Sequence, residues 1–186
     1  PKVSRDITVS PISEAEVDAA MLGCKPKSAV GPDGYSFEAL KRVKPFILAT
    51  VFNKWLVEGR IPDELRVSRT VLIPKKDAPK EPGDFRPLTI GPALLRLYTK
   101  ILYVRMSEIC KPHALQAGFC LDKSCSSNIL PLQSLISHRR KSCKPFYAVF
   151  LDLSKAFDTV PHERILGAMR QRRFPEAYVR VVQDLY

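Results

Sequence analysis

No Asp or Glu occurs between Lys123 and Leu151, while Lys123, Arg139, Arg140, Lys141 and Lys144 all fall within that stretch. The shortage of acid extends to the whole 186-residue chain, where 30 Lys and Arg face 19 Asp and Glu for a net charge of +11. Such an excess leaves the fold open but favours a polyanionic partner; the alternative is a basic solvated face without a ligand. Long apolar runs are absent too. None approaches the roughly 18 apolar residues of a membrane-spanning helix, and Pro1 to Ser10 lacks the apolar core of a signal peptide. Cysteine is scarce. The five, at 24, 110, 120, 125 and 143, are too irregular for a secreted disulfide scaffold and point to an intracellular, reducing compartment. Cys110, His113, Cys120 and Cys125 read C-x2-H-x6-C-x4-C, an order that fits no common tetrahedral zinc site. What remains, 45% apolar with nine Phe and one Trp, is ordinary for a globular chain long enough to bury a core.

Local signals divide the chain into elements. Ser13 and Glu16 form an S-x-x-E capping box, followed at helical spacing by Val17, Ala20, Met21 and Cys24. Gly31-Pro32-Asp33-Gly34 is a dense turn signal, and a helix is expected from Ser36; a basic loop of this kind can also bring backbone N–H groups to a phosphate. Pro45 opens a second helix with Leu48, Phe52, Trp55 and Leu56 as its apolar stripe and Gly59 as its cap. Arg66 to Pro74 and Phe85 to Ile90 read as two strands of a hairpin carrying Lys75, Lys76, Lys80 and Arg86. That tip is either solvated or a clamp for a triphosphate, whose transition-state oxygens need fixed cations. From Pro92 a long helix runs to about Cys110, with Arg96, Lys100 and Arg105 off its apolar stripe and expected in solvent, the alternative being contact with a nucleic-acid backbone. Further helices are expected from Ser126 or Ser127 to Lys141, from Pro161, and from near Pro175.

The stretch Phe146 to Val160, FYAVFLDLSKAFDTV, carries the chemistry. Six apolar residues, Phe146 to Leu151, predict a strand buried on both faces. It ends on Asp152, well placed to hold a divalent cation, because a sheet would fix the oxygens while solvent supplies the other ligands. Asp158, six residues on, is expected to be structural, hydrogen-bonded to backbone N–H groups across a turn, the alternative being contact with the nucleotide.

The run LDLSKAFDTVPHERIL resembles the first palm motif of reverse transcriptases, most closely that of LINE-type (non-LTR) retrotransposons. The resemblance implies that Asp152 binds the two catalytic magnesium ions and that Phe157 packs under the sugar and excludes a 2′-hydroxyl. IPKKD and DFRPLT resemble the two fingers motifs, which would turn Lys75 and Arg86 toward the incoming nucleotide, with Lys76 able to take the role of Lys75. The GPDG string resembles a segment lying against the template in LINE and group II intron enzymes, implicating Gly31 and Asp33. Gln116-Ala117-Gly118-Phe119 resembles a Q-x-G-F element on the template and primer path, implicating Gln116, Gly118 and Phe119.

Two-metal phosphoryl transfer needs more than one carboxylate, and no adjacent Asp pair occurs in the sequence. The chain therefore reads as an α/β (α+β) fragment of a right-hand polymerase. Its expected parts are a lead-in and helix (1–24), fingers (25–144) and the start of a palm (145–186). The palm's antiparallel sheet would be incomplete, with helices on one side and an exposed edge that lowers solubility. The function implied by the resemblance is RNA-directed DNA synthesis by a retrotransposon protein, with RNA template, DNA primer or target, dNTPs and Mg2+ as partners and no membrane. The fragment alone is expected to be inactive, the parent to carry an endonuclease as well, and the nucleus to be the site of action. Two alternatives are a group II intron maturase and a non-catalytic basic nucleic-acid-binding relic. The Val160-Pro161-His162 continuation favours the LINE type.

Overall fold

The computed structural model describes residues 9–120, 123–153 and 156–186, with Phe157 and Asp158 described by their backbone alone. Two compact units are present. One comprises residues up to Met106 together with Pro161–Tyr186, the other Ser107–Val160.

In the first unit, helix α1 (Glu14–Leu22) starts at the expected capping box. The Ser13 N–H donates to Glu16 Oε2 (2.9 Å), and the Glu16 N–H returns to Ser13 Oγ (3.3 Å). The next signal, GPDG, closes a turn in which the Gly34 N–H donates to the Gly31 carbonyl (3.2 Å), with Gly34 at φ 74°, a conformation that favours glycine. Ser36 caps the short helix α2 (Phe37–Leu40) through its Oγ and the Ala39 N–H. Helix α3 (Pro45–Glu58) has Pro45 at its first position and ends on Gly59 in the left-handed conformation (φ 65°). The hairpin follows as strands β1 (Arg69–Pro74) and β2 (Phe85–Ile90). Strand β1 begins three residues later than the sequence suggests, because Arg66 closes a 3-10 turn (Asp63–Leu65).

Helix α4 (Ala93–Ile109) lays Tyr98 beside Phe52 and Trp55 of α3, with ring centroids 5.2 Å from each. All three rings are buried, together with Leu97, Ile101 and Leu102. Each side chain of this size contributes about 1.5–3 kcal/mol through burial. Helices α7 (His162–Gln171) and α8 (Glu176–Leu185) complete the unit. Tyr178, Val179 and Val181 join the same core, and Asp184 accepts from the Ile61 N–H (2.7 Å) and from Arg66 (2.5 Å).

The α4 cations correct one expectation. Arg96, Lys100 and Arg105 are not solvated side chains. The Arg105 guanidinium grips both carboxylate oxygens of Glu16 (2.6 and 2.7 Å) and donates to the Ser10 and Pro11 carbonyls (2.6 and 2.8 Å). Lys100 donates to the Ala20 carbonyl (2.8 Å) and Arg96 to the Ala29 carbonyl (2.8 Å). Carbonyls left open at helix ends and loops need donors, and long cationic side chains supply them.

The second unit holds helix α5 (Ser126–Lys141) and the one-turn helix α6 (Ala156–Thr159). Two expectations fail here. Phe146 to Leu151 forms no strand, and after the half-buried Phe146 its apolar side chains lie open, with Tyr147, Phe150 and Leu151 at 87%, 81% and 92% exposure. A strand exists only through ladder bonds to a neighbour, and among the described residues none pairs with this segment. For the same want of a covering layer, α5 buries no residue, although Ile129, Leu135 and Ile136 lie along it. The mixed helix-and-sheet architecture does hold, with one two-stranded antiparallel sheet among the described residues. No described helix is long and apolar enough to cross a membrane.

Candidate nucleotide and nucleic-acid interface

The hairpin register decides which side chains share a face. Ile73 pairs with Arg86, Val71 with Leu88 and Arg69 with Ile90. Cross-strand partners and alternate residues point the same way, so these six form one face. Lys75 continues the ladder, its N–H donating to the Asp84 carbonyl (2.7 Å), and alternation places it on that face beside Arg86. The other face (Thr70, Leu72, Pro74, Phe85, Pro87, Thr89) carries no charge.

The three candidate cations differ in what already holds them. Lys76 Nζ is paired with the Asp84 carboxylate at 2.8 Å. Asp84 also accepts from the Lys80 and Glu81 N–H groups; these bonds, that from Lys76 first, hold its carboxyl below the usual range. Lys75 Nζ donates to a neutral acceptor, the Gly83 carbonyl (2.8 Å), and its charge acts on the Asp84 carboxylate through space, without an ion-pair contact. The Arg86 side chain is exposed and has no hydrogen-bond or ion-pair partner among the described residues, while its backbone pairs with Ile73 in the ladder. Lys75 and Arg86 are thus two exposed cations on one face, neither held in an ion pair among the described residues, the arrangement that takes up phosphate oxygens, and Lys76 is committed to Asp84.

At the Gly31–Gly34 turn, Asp33 Oδ1 accepts from the Tyr35 N–H (3.4 Å), which shapes the turn. Gly31 lies so close to the chain at Gly91–Pro92 that a Cβ there would sit 2.8 Å from the Gly91 carbonyl oxygen and 2.9 Å from Pro92 Cα.

In the second unit, the loop around Gln116 is folded on itself. The Gln116 side-chain amide donates to the Gly118 carbonyl (3.0 Å), and Lys123 Nζ donates to the Ala114 and Gln116 carbonyls. Phe119, 81% exposed, stands at φ 58°, a strained conformation for an aromatic residue. His138, Arg139, Arg140 and Lys141 gather in the last turn of α5, where the helix dipole favours cations.

Asp152 is exposed in the irregular segment after Leu151. Its carboxylate is suitable for magnesium, but one carboxylate does not make a site: no group of three or more His, Cys, Asp or Glu among the described residues could hold a metal ion. The described residues by themselves therefore do not make up a two-metal centre. The side chains of Phe157 and Asp158 lie outside the described residues, so the structure places neither.

The residues missed from the sequence are the α4 cations. Nothing local marks them, because their partners are carbonyls and a carboxylate up to 95 positions away.

Residues 73–186 match the family described as reverse transcriptase (RNA-dependent DNA polymerase). Over 177 residues the chain is 32% identical to a retrovirus-related Pol polyprotein from type-2 retrotransposable element R2DM of Drosophila melanogaster, spanning 95% of this chain and 17% of that protein. It is 36% identical over 164 residues to one from type-1 retrotransposable element R2 of Popillia japonica, spanning 88% of this chain and 23% of that protein. To the corresponding protein of Nasonia vitripennis it is 35% identical over 165 residues, 89% of this chain and 16% of that protein. The chain thus spans less than a quarter of the length of each of these relatives.

Proposed function

The chain belongs to the reverse transcriptase (RNA-dependent DNA polymerase) family, and on that premise we propose that it is part of an RNA-directed DNA polymerase of a non-LTR retrotransposon. The whole protein extends a DNA 3′ end on an RNA template with dNTPs. The observation that carries this reading is the hairpin face on which Lys75 and Arg86 stand together, both exposed and neither in an ion pair among the described residues. These two bind the triphosphate of the incoming dNTP, and Lys76 holds the loop through Asp84. In this reading residues 25–144 form the fingers and 145–186 begin the palm.

Asp152 provides one carboxylate for magnesium. The other ligands that two-metal phosphoryl transfer requires come from outside these 186 residues, so the fragment alone is inactive. Magnesium, when bound, supplies charge neutralisation at the phosphoryl oxygens. Phe157 excludes ribonucleotides, and Asp158 stabilises the local turn. Gly31 and Asp33 face the template. Gln116 and Gly118 shape a loop from which Phe119 stacks on template or primer bases, as exposed aromatics do. The basic end of α5 neutralises nucleic-acid phosphates. An endonuclease elsewhere in the parent, as the LINE-type resemblance implies, would nick the target in the nucleus and supply the primer.

The test is primer extension on an RNA template by the full-length protein, wild type against Asp152→Ala. The variant should lose DNA synthesis and keep its RNA affinity. Wild-type synthesis by the variant would remove the central assignment, and a wild-type protein that binds nucleic acid without extending any primer would favour the non-catalytic relic.

A further inference from the structure

The Gly31–Gly34 turn and the hairpin meet at one point. Gly91 and Pro92 follow β2 directly and lead into α4. On one side of this junction lies Gly31, whose absent Cβ is what allows its backbone to approach the Gly91 carbonyl and Pro92 Cα. On the other lies Ser68, the residue before β1, whose Oγ would be 3.3 Å from a Cβ on Gly91. Both strands of the hairpin are thus rooted where the turn rests. One helical turn into α4, Arg96 holds the turn from both sides. Its Nη1 donates to the carbonyl of Ala29, two residues before Gly31 (2.8 Å), and its guanidinium lies 4.9 Å from the ring centroid of Phe37, three residues after Gly34. A planar guanidinium can make both contacts at once, one along its edge and one through its face.

We propose that Arg96 is a positioning residue. It fixes the Gly31–Gly34 turn against the root of the hairpin, so that the template-facing turn and the nucleotide-facing strand are held as one rigid body. This rests on the polymerase reading above. Without Arg96 the turn samples other positions, and the affinity for the template falls by the fraction of time it spends away.

The experiment uses the full-length protein on an RNA template with an annealed DNA primer, comparing wild type, Arg96→Ala, Arg96→Lys and Gly31→Ala. If the competent turn falls to 10–20% occupancy, the apparent KM for template–primer rises about five- to tenfold in Arg96→Ala, with kcat falling by less. Arg96→Lys keeps a cation and a donor to Ala29 but not the planar face, and recovers part of the loss. Gly31→Ala leaves Arg96 in place, forces the turn off Gly91, and raises the same KM. A KM unchanged in Arg96→Ala, with only a lowered melting temperature, would show that Arg96 merely holds the fold together and would overturn the proposal, whatever Gly31→Ala does, while leaving the polymerase reading intact. A wild-type protein that extends no primer removes both.

Discussion

Arg105→Ala should destabilise the first unit by about 2–4 kcal/mol, below the full cost of breaking a buried pair because one partner can rehydrate. The Arg105 side chain is only 10% exposed, and its charge-assisted contacts include two to Glu16 and one each to the Ser10 and Pro11 carbonyls. Glu16 is the partner that rehydrates, being 34% exposed. An independent figure comes from Glu16 itself. The hydrogen bond from Arg105, outweighing the cost of burial, lowers its pKa from 4.5 to about 2. Such a fall corresponds to about 3.4 kcal/mol unscreened, and water around the carboxylate leaves about 1–2 kcal/mol of it. Since the folded pKa lies below the unfolded one, this stabilisation is complete above about pH 4.5 and is lost as pH falls through about 2. Trp55, the only Trp, is buried against Phe52 and Tyr98, so its fluorescence reports unfolding of this unit. Urea unfolding of wild type, Arg105→Ala, Glu16→Gln and the double variant at pH 7 gives the coupling directly, expected at about 1–2 kcal/mol. Glu16→Gln should also flatten the loss of stability between pH 4.5 and 2. Coupling below about 0.3 kcal/mol, within the scatter of independent sites, would show that α1 is held by its core contacts and not by this pair.

In the full-length enzyme, Arg86→Ala should raise the KM for dNTP at least tenfold, as loss of a charge-assisted bond worth roughly 1.5–3 kcal/mol implies, with template affinity little changed; a larger loss of template affinity would move Arg86 to the nucleic-acid track. Lys75→Ala should raise the dNTP KM more than Lys76→Ala does, since only Lys76 is paired with Asp84, and the reverse order in steady-state kinetics would exchange their roles. Phe157→Val should admit ribonucleotides, seen as a fall in the dNTP-to-rNTP ratio of kcat/KM, and an unchanged ratio would remove the gate.

Much of the molecule could be read from sequence because its signals are local. Ser13 and Glu16 are three residues apart and cap the same helix turn; Pro45 and Gly59 bracket α3; alternation and turn residues delimit β2 to the residue. The basic end of α5 and the candidate residues Lys75, Arg86 and Asp152 were equally legible as residue types in their motifs. Tertiary structure alone decided three matters. The cations of α4 look like solvated surface along their own helix, yet they hold carbonyls 67 to 95 positions away, which no local pattern encodes. Which of Lys75 and Lys76 pairs with the Asp84 carboxylate is likewise a matter of hairpin geometry. The apolar run Phe146 to Leu151 has the composition of a buried strand, yet Tyr147 to Leu151 are exposed. Composition states what a segment can bury, but burial requires a second surface, and that surface is supplied by the fold and not by the run itself.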